Sequence, residues 1–126
     1  MKKKILVVDD DRVQRELYED IFSSKGYETI TAKDGLEGLD LALKEKPSLI
    51  FTGIIMPRMD GFEFIRNLRN NIVTAETPVI MFSHLGREED RAKAKEFEGT
   101  EFMVKGLDGP LDILKKVKLL IGTPDK

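Results

Sequence analysis

Five short runs of strand-forming residues, four of them largely apolar, alternate along this chain with stretches of helical periodicity. Ile5-Leu6-Val7-Val8 closes on Asp9, Asp10 and Asp11, and Tyr27 to Ala32 reads as a second strand. Leu49 to Thr52 closes on Gly53, Pro78-Val79-Ile80-Met81-Phe82 on Ser83, and Phe102-Met103-Val104 on Lys105. Between them the apolar period changes from that of strands to that of helices. After Asp11, which can cap a helix with Gln14 three residues on, Val13, Leu17, Ile21 and Phe22 fall on one face and Gly26 ends the segment. Asp34 starts a second helix with Leu36, Leu39 and Leu43 facing inward, and Pro47 marks its end. Phe62, Ile65, Leu68 and Ile72 line a third helix. A charged fourth runs from about Arg87 to Glu98 with Ala92, Ala94 and Phe97 as its thin apolar content, and Leu111, Leu114, Val117 and Ile121 stripe the last. Five strand-helix units in order predict a doubly wound parallel α/β sheet with helices on both faces, a three-layer α/β/α sandwich. In such a sheet the carboxyl ends of the strands form the ligand crevice. Acid cluster, hydroxyl and ammonium, far apart in sequence, should therefore converge there.

Composition narrows the function classes. At 126 residues the chain reads as a single domain over 1–126, with 122–126 a short tail, large enough to bury one core without disulfides or a structural metal. Without cysteine it has no disulfide, thiolate metal site or cysteine nucleophile, which suits a reducing cytoplasm. A formal charge of -2 from well-mixed acids and bases gives no global field for nucleic acid or anionic membrane. No apolar stretch approaches the ~20 residues that span a bilayer. Met1-Lys2-Lys3-Lys4 is basic, but the apolar run behind it has four residues and meets Asp9 to Asp11 at once, too short for a signal peptide. The expectation is a cytoplasmic protein that binds neither nucleic acid nor membrane.

Five fragments, in order and at matching spacing, carry a resemblance: Leu6-Val7-Val8-Asp9-Asp10-Asp11, Ala32-Lys33-Asp34-Gly35, Met56-Pro57-Arg58-Met59-Asp60-Gly61, Pro78-Val79-Ile80-Met81-Phe82-Ser83, and Lys105. From about residue 3 to about residue 121 the chain resembles the receiver domain of two-component response regulators. The resemblance implies a flavodoxin-like (βα)5 fold with strand order 2-1-3-4-5. It also implies a phosphoryl-accepting aspartate four residues before the proline of the Met-Pro turn. Counting back from Pro57 gives Gly53, and neither Thr52 nor Ile54 is a carboxylic acid. The family's proline after its lysine is Gly106 here, and the aromatic often found next is Leu107.

By the same resemblance, Mg²⁺ would be held by the acid pair Asp9 and Asp10, by the phosphoacceptor and by the backbone carbonyl of Ile55. Gly53 supplies nothing, so the expectation is a weakened or empty metal site. Ser83 and Lys105 would follow and clamp a phosphoryl group; without one, Lys105 is expected to keep Asp9 or Asp10 as counter-ion. Phe102 stands at the position of the family's rotating aromatic, and His84 reads as an ordinary loop histidine. Aspartyl phosphorylation uses a carboxylate nucleophile with Mg²⁺ and lysine stabilising the transferring oxygens. Glycine cannot form the acyl phosphate. Thr52 should point away from the crevice because side chains alternate along a strand, which leaves Asp10 as the substitute acceptor.

Three readings follow. The first is a pseudo-receiver, not an enzyme, that contacts partner proteins without a phosphorylation switch. The second is an ordinary stand-alone phosphorelay receiver whose acceptor was lost or engineered to glycine, or is replaced by Asp10. The third is an enzyme or nucleotide binder reusing the crevice; the lack of a glycine-rich loop after the first strand, where three carboxylates would repel phosphate, argues against it. Receivers commonly use the face of the fourth helix, fifth strand and fifth helix for homodimers and targets, and Arg91, Lys95, Glu101, Asp112 and Lys116 would offer mixed charge there. A histidine kinase or phosphotransfer domain would dock by analogy at the first helix, with Arg12, Arg15 and Glu19, and an output protein is the further expected partner.

Overall fold

The computed structural model describes residues 2–125. Ten elements alternate: β1 (Lys4–Val8), α1 (Arg12–Ser24), β2 (Glu28–Ala32), α2 (Gly35–Glu45), β3 (Leu49–Gly53), α3 (Gly61–Arg69), β4 (Val79–Ser83), α4 (Glu88–Ala94), β5 (Thr100–Val104) and α5 (Pro110–Ile121). All strand pairs are parallel and the order is β2-β1-β3-β4-β5, as the flavodoxin-like reading requires. The strands with the most continuous apolar content, β3 and β4, are buried throughout, whereas the edge strands β2 and β5 are partly exposed. Register pairs Val8 with Thr52, Gly53 with Phe82 and Ser83 with Val104, so Asp9, Gly53, Ser83 and Lys105 all emerge at one pole.

Two cores flank the sheet. On one side Tyr18 and Phe22 of α1 and Ile113 and Val117 of α5 cover Val7, Phe51, Ile80 and Phe82. On the other, Ala42, Phe64, Ile65, Leu68 and Ala94 cover Leu6, Val8, Ile50 and Met81. Helices α1 and α2 face the sheet differently from their leucine periodicity. In α1 the buried residues are Gln14, Tyr18 and Phe22, while Val13 is 77% exposed and Leu17 is exposed. The tyrosine decides the rotation, because its ring packs 4.7 Å from Phe51 and 5.3 Å from Phe82 between centroids. In α2 the inner face is Gly35, Gly38 and Ala42, with Leu36 exposed and Leu39 half-buried. A Cβ at Gly38 would stand 3.0 Å from Val8 Cγ2 and 3.1 Å from Phe64 Cζ, so the small residue sets how closely α2 approaches.

Helix α3 ends at Arg69, which leaves Ile72 95% exposed outside it, and Phe64 is fully buried in addition to the expected stripe. Helix α4 is shorter than the charge pattern suggests. Its last turn tightens through bonds from Glu96 N–H to the Lys93 carbonyl and from Phe97 N–H to the Ala94 carbonyl, and Ala92 is exposed. In α5 Ile113 replaces Leu111 in the core. Of the expected tail, Lys126 lies outside the described residues; Gly122 and Pro124 are tied down, their carbonyls accepting from the Tyr27 hydroxyl at 2.7 Å and from Lys3 N–H at 2.8 Å. Among the described residues no helix is long and apolar enough to cross a membrane.

Candidate functional site

The pole formed by the carboxyl ends of β1, β3 and β4 holds a crevice of about 300 Å³. Asp9, Asp10 and Asp11 line one side, Gly53 and Ile55 the floor, and Ser83, His84 and Asp90 the other side. Asp9 follows β1 directly and is 6% exposed. Its Oδ1 accepts from Asp11 N–H at 2.9 Å, and its carbonyl accepts from Arg15 Nη1 at 2.8 Å. Burial pushes the Asp9 carboxyl above the ordinary carboxylate range, and the Asp11 N–H and His84 only partly offset this. Asp10 is exposed at the crevice mouth. Asp11 caps α1 as expected, accepting from Val13 N–H at 3.0 Å and Gln14 N–H at 3.4 Å.

Gly53 closes β3 with an ordinary extended backbone; its φ does not lie in the left-handed region. A Cβ there would meet Asp9 Oδ2 at 3.5 Å, normal van der Waals distance, and nothing nearer. Neither conformation nor space therefore demands glycine. Thr52 is buried, donates to the Gly53 carbonyl at 3.0 Å and does not line the crevice.

Lys105 corrects an expectation. Its Nζ approaches the Gln14 Oε1 at 3.5 Å, a long and weak contact, and among the described residues it makes no ion pair with Asp9 or Asp10. With no carboxylate at position 53 to bridge the gap, the exposed ammonium stays solvated beside α1, where an ion pair would add little. Gln14, expected as the second arm of a capping box, instead turns its side chain inward to meet that lysine.

Ser83 serves the loop that follows it. Its buried Oγ accepts from Leu85 N–H at 3.2 Å and Gly86 N–H at 2.8 Å, closing a tight turn. Phe102 is half-buried in β5, with the Arg91 guanidinium 4.9 Å from its ring centroid. Three participants were not anticipated. His84 packs edge-on to Phe82 at 5.9 Å and faces the acids, and Asp90 is fixed by Arg87 Nε at 3.1 Å. Arg58, with φ of +66°, clamps the carboxylate of Asp34, which caps α2 through Glu37 N–H at 2.9 Å. The i, i+3 charges at Arg87 and Asp90 were a sequence signal for their pairing, whereas nothing in the sequence paired Arg58 with Asp34.

Asp9, Asp10 and the Ile55 carbonyl are the groups able to hold a divalent cation. Two carboxylates with water suit Mg²⁺, and Asp9 Oδ2 faces the crevice without a hydrogen-bond partner among the described residues. Against this, no group of three or more His, Cys, Asp or Glu converges to metal-binding geometry among the described residues. The donors fit the ion only in part.

A sequence profile of the response regulator receiver domain matches residues 5–118. The chain belongs to the response regulator receiver family. A "probable transcriptional regulator ycf27" of Porphyra purpurea is 34% identical over 125 residues, 99% of this chain and 50% of that protein. The "DNA-binding dual master transcriptional regulator RpaA" of a Synechocystis strain is 30% identical over 98% of this chain and 51% of its own length. This receiver thus spans about half the length of the curated relatives it matches. Among solved structures, chemotaxis protein CheY4 of Vibrio cholerae superposes with a TM-score of 0.87 at 31% identity, covering 95% of this chain and 99% of that one.

The receiver's expected docking charges are largely satisfied internally. Glu101 pairs with Lys116 at 3.2 Å, Asp112 accepts from Gly109 N–H at 3.0 Å, and Arg91 lies on Phe102. On α1, Arg12 pairs with Glu16 at 2.8 Å.

The raised Asp9 gives a pH prediction. A carboxyl whose folded pKa exceeds its unfolded value is a liability when ionised in both states, and that liability disappears as pH falls through the folded value toward the unfolded one. Asp9→Asn, which keeps the acceptor for Asp11 N–H, is therefore expected to melt above the parent at pH 7 without divalent cation. The gap should close on acidification toward about pH 4, the ordinary aspartate value. Thermal melts across that range check it; an Asn variant that melts below the parent at pH 7 would refute the assignment.

Proposed function

We propose that this receiver is a pseudo-receiver of two-component phosphorelay signalling, unable to form an acyl phosphate at position 53 and acting through protein–protein contact. The observation that carries the reading is Gly53 itself, at the end of β3 and facing the buried Asp9 with no side chain between them. Mg²⁺, where it binds, would rest on Asp9, Asp10 and the Ile55 carbonyl and would supply charge stabilisation; with one carboxylate ligand fewer, its affinity is low. Ser83 and Lys105 are phosphate-site relics, one engaged in its own loop and the other with Gln14. Phe102 keeps the switch-aromatic position under Arg91. Partners are proteins: a histidine kinase or phosphotransfer domain at α1, an output protein, or a second copy through α4, β5 and α5. The compartment proposed is the cytoplasm, and no enzymatic activity is assigned.

A second reading has a specific observation in its favour. Gly53 has neither a left-handed backbone nor a crowded Cβ position, which supports the reading of a phosphorelay receiver whose acceptor was replaced. Intact mass after incubation with acetyl phosphate and Mg²⁺ tests the first reading. No adduct is expected; a stoichiometric phospho-adduct, mapped by peptide analysis to Asp10 or elsewhere, would overturn it.

A further inference from the structure

Away from the acid crevice, a second depression of about 310 Å³ runs along α5 to the C-terminal end of α1 and the start of β2. Its volume is that of about ten water molecules, enough for two leucine-sized side chains. Its apolar lining is Tyr27, Leu111, Leu114 and Pro124. Three lysines ring it, Lys25 from the end of α1 and Lys115 and Lys118 from α5.

These lysines differ from others on the molecule. Lys4 pairs with Glu45 at 2.8 Å and Lys116 with Glu101 at 3.2 Å, but among the described residues Lys25, Lys115 and Lys118 have no ion-pair partner. The walls are also preformed. Tyr27 donates its hydroxyl to the Gly122 carbonyl at 2.7 Å, Lys3 N–H holds the Pro124 carbonyl at 2.8 Å, and Lys3 Nζ reaches the Ile121 carbonyl. A rigid, partly dry surface loses little freedom on binding. The depression is shallow, since Leu111 is 71% exposed at its edge. An open groove of this kind leaves an acyl chain largely in water, whereas it accepts side chains projected from a peptide backbone.

We propose that this groove binds an acidic amphipathic helix of a partner protein, seating two apolar side chains one turn apart on Tyr27, Leu111, Leu114 and Pro124, with flanking carboxylates meeting Lys25, Lys115 and Lys118. The contact uses none of the groups at the phosphoacceptor pole. It gives the receiver a partner surface that operates whether or not position 53 can be phosphorylated, and its failure would leave the reading of Gly53 intact.

The test is a fluorescein-labelled twelve-residue helical peptide with leucine on one face and glutamate on the other, titrated into the full chain by anisotropy and by ¹H–¹⁵N NMR. Saturable binding is expected, with amide shifts concentrated at Lys25, Tyr27 and Leu111 to Lys118. Leu111→Glu and the double change Lys115→Glu, Lys118→Glu, all at exposed positions, should each weaken it by about tenfold or more, or about 1.4 kcal/mol. A scrambled peptide of equal charge should bind at least as weakly. Equal binding of the scrambled peptide, no effect of the substitutions, or shifts elsewhere would overturn the proposal. Laurate shifting these amides when the peptide does not would replace it with a lipid site. Concentration-dependent shifts of the same amides without added ligand would replace it with self-association.

Discussion

Gly53→Asp is expected to take a phosphoryl group from acetyl phosphate in the presence of Mg²⁺, where the parent chain takes none. The backbone at position 53 is extended and the nearest contacts of a new Cβ are all with the Asp9 carboxyl group, at 3.5–3.8 Å, so a side chain can start there without moving the backbone. It then supplies the nucleophile and a further metal ligand beside Asp9 and Asp10. Lys105 must leave Gln14 and turn toward the new carboxylate, which the long 3.5 Å contact does little to prevent. The same change has a cost. A further carboxylate beside the buried Asp9 should destabilise the cation-free protein by on the order of 1–4 kcal/mol, the range for two unit charges about 4 Å apart between water and an effective dielectric of about 20. Millimolar Mg²⁺ should recover most of that loss in the variant and have a much smaller effect on the parent. Mass spectrometry reads the adduct and thermal melts with and without Mg²⁺ read the linkage. A variant that neither phosphorylates nor responds to Mg²⁺ would mean that the pole has lost more than its acceptor.

The largest effect on stability is expected at Phe51→Ala. Phe51 lies in the middle of β3 and touches three other rings, with centroids 4.7 Å from Tyr18, 5.4 Å from Phe22 and 5.3 Å from Phe82. Truncation removes one of the two rings, with Tyr18, that touch the other three of that cluster in a core too constrained by the sheet to collapse, which costs about 3–5 kcal/mol. A domain of this size has about 5–15 kcal/mol in total, so the melting temperature should fall by roughly 10–20 °C. Phe51→Leu, which retains most of the volume, should lose under half as much. Urea denaturation of the three proteins measures this, and a loss below about 1 kcal/mol for the alanine variant would show that the ring cluster is not what holds α1 to the sheet.

The strands were legible because their signal is redundant. Four are runs dominated by branched or aromatic apolar residues, and three end on groups, the acids after β1, Ser83 and Lys105, that make sense only if the ends gather at one pole; β2, Glu28-Thr29-Ile30-Thr31-Ala32, carries the weaker signal. Their order in space came through the family resemblance rather than through periodicity, which does not distinguish one parallel neighbour from another. Helix faces were read less well, for physical reasons visible in particular residues. A leucine count passes over Tyr18, whose ring is core while its hydroxyl counts as polar, and over Gly38, which is inward because α2 must come close to Val8 and Phe64. Ile113 rather than Leu111 turns inward because Pro110 opens α5, with Asp112 fixing the Gly109 N–H, and so sets the helix phase.

At the site, residue types and their convergence at one pole were readable, but side-chain partners were not. Nothing in the sequence says that Lys105 reaches a glutamine on α1 instead of the acids, because the choice depends on the direction of a long exposed side chain. Nor does it say that Ser83 spends its hydroxyl on Leu85 and Gly86, or that Arg58 adopts a left-handed backbone to clamp Asp34. These are settled by tertiary packing. Gly53 needed no structure to be noticed. What the structure adds is that neither the backbone nor the space around its Cβ position requires a glycine there.

The most direct test of the account is titration of the unaltered chain with beryllofluoride and Mg²⁺, followed by ¹H–¹⁵N NMR at the amides of Gly53, Ser83 and Lys105. Beryllofluoride needs an aspartate oxygen to complete its mimic of an acyl phosphate. These amides are expected to show at most small, fast-exchange shifts explained by Mg²⁺ alone. A new set of resonances in slow exchange, with Ser83 and Phe102 displaced together, would contradict it.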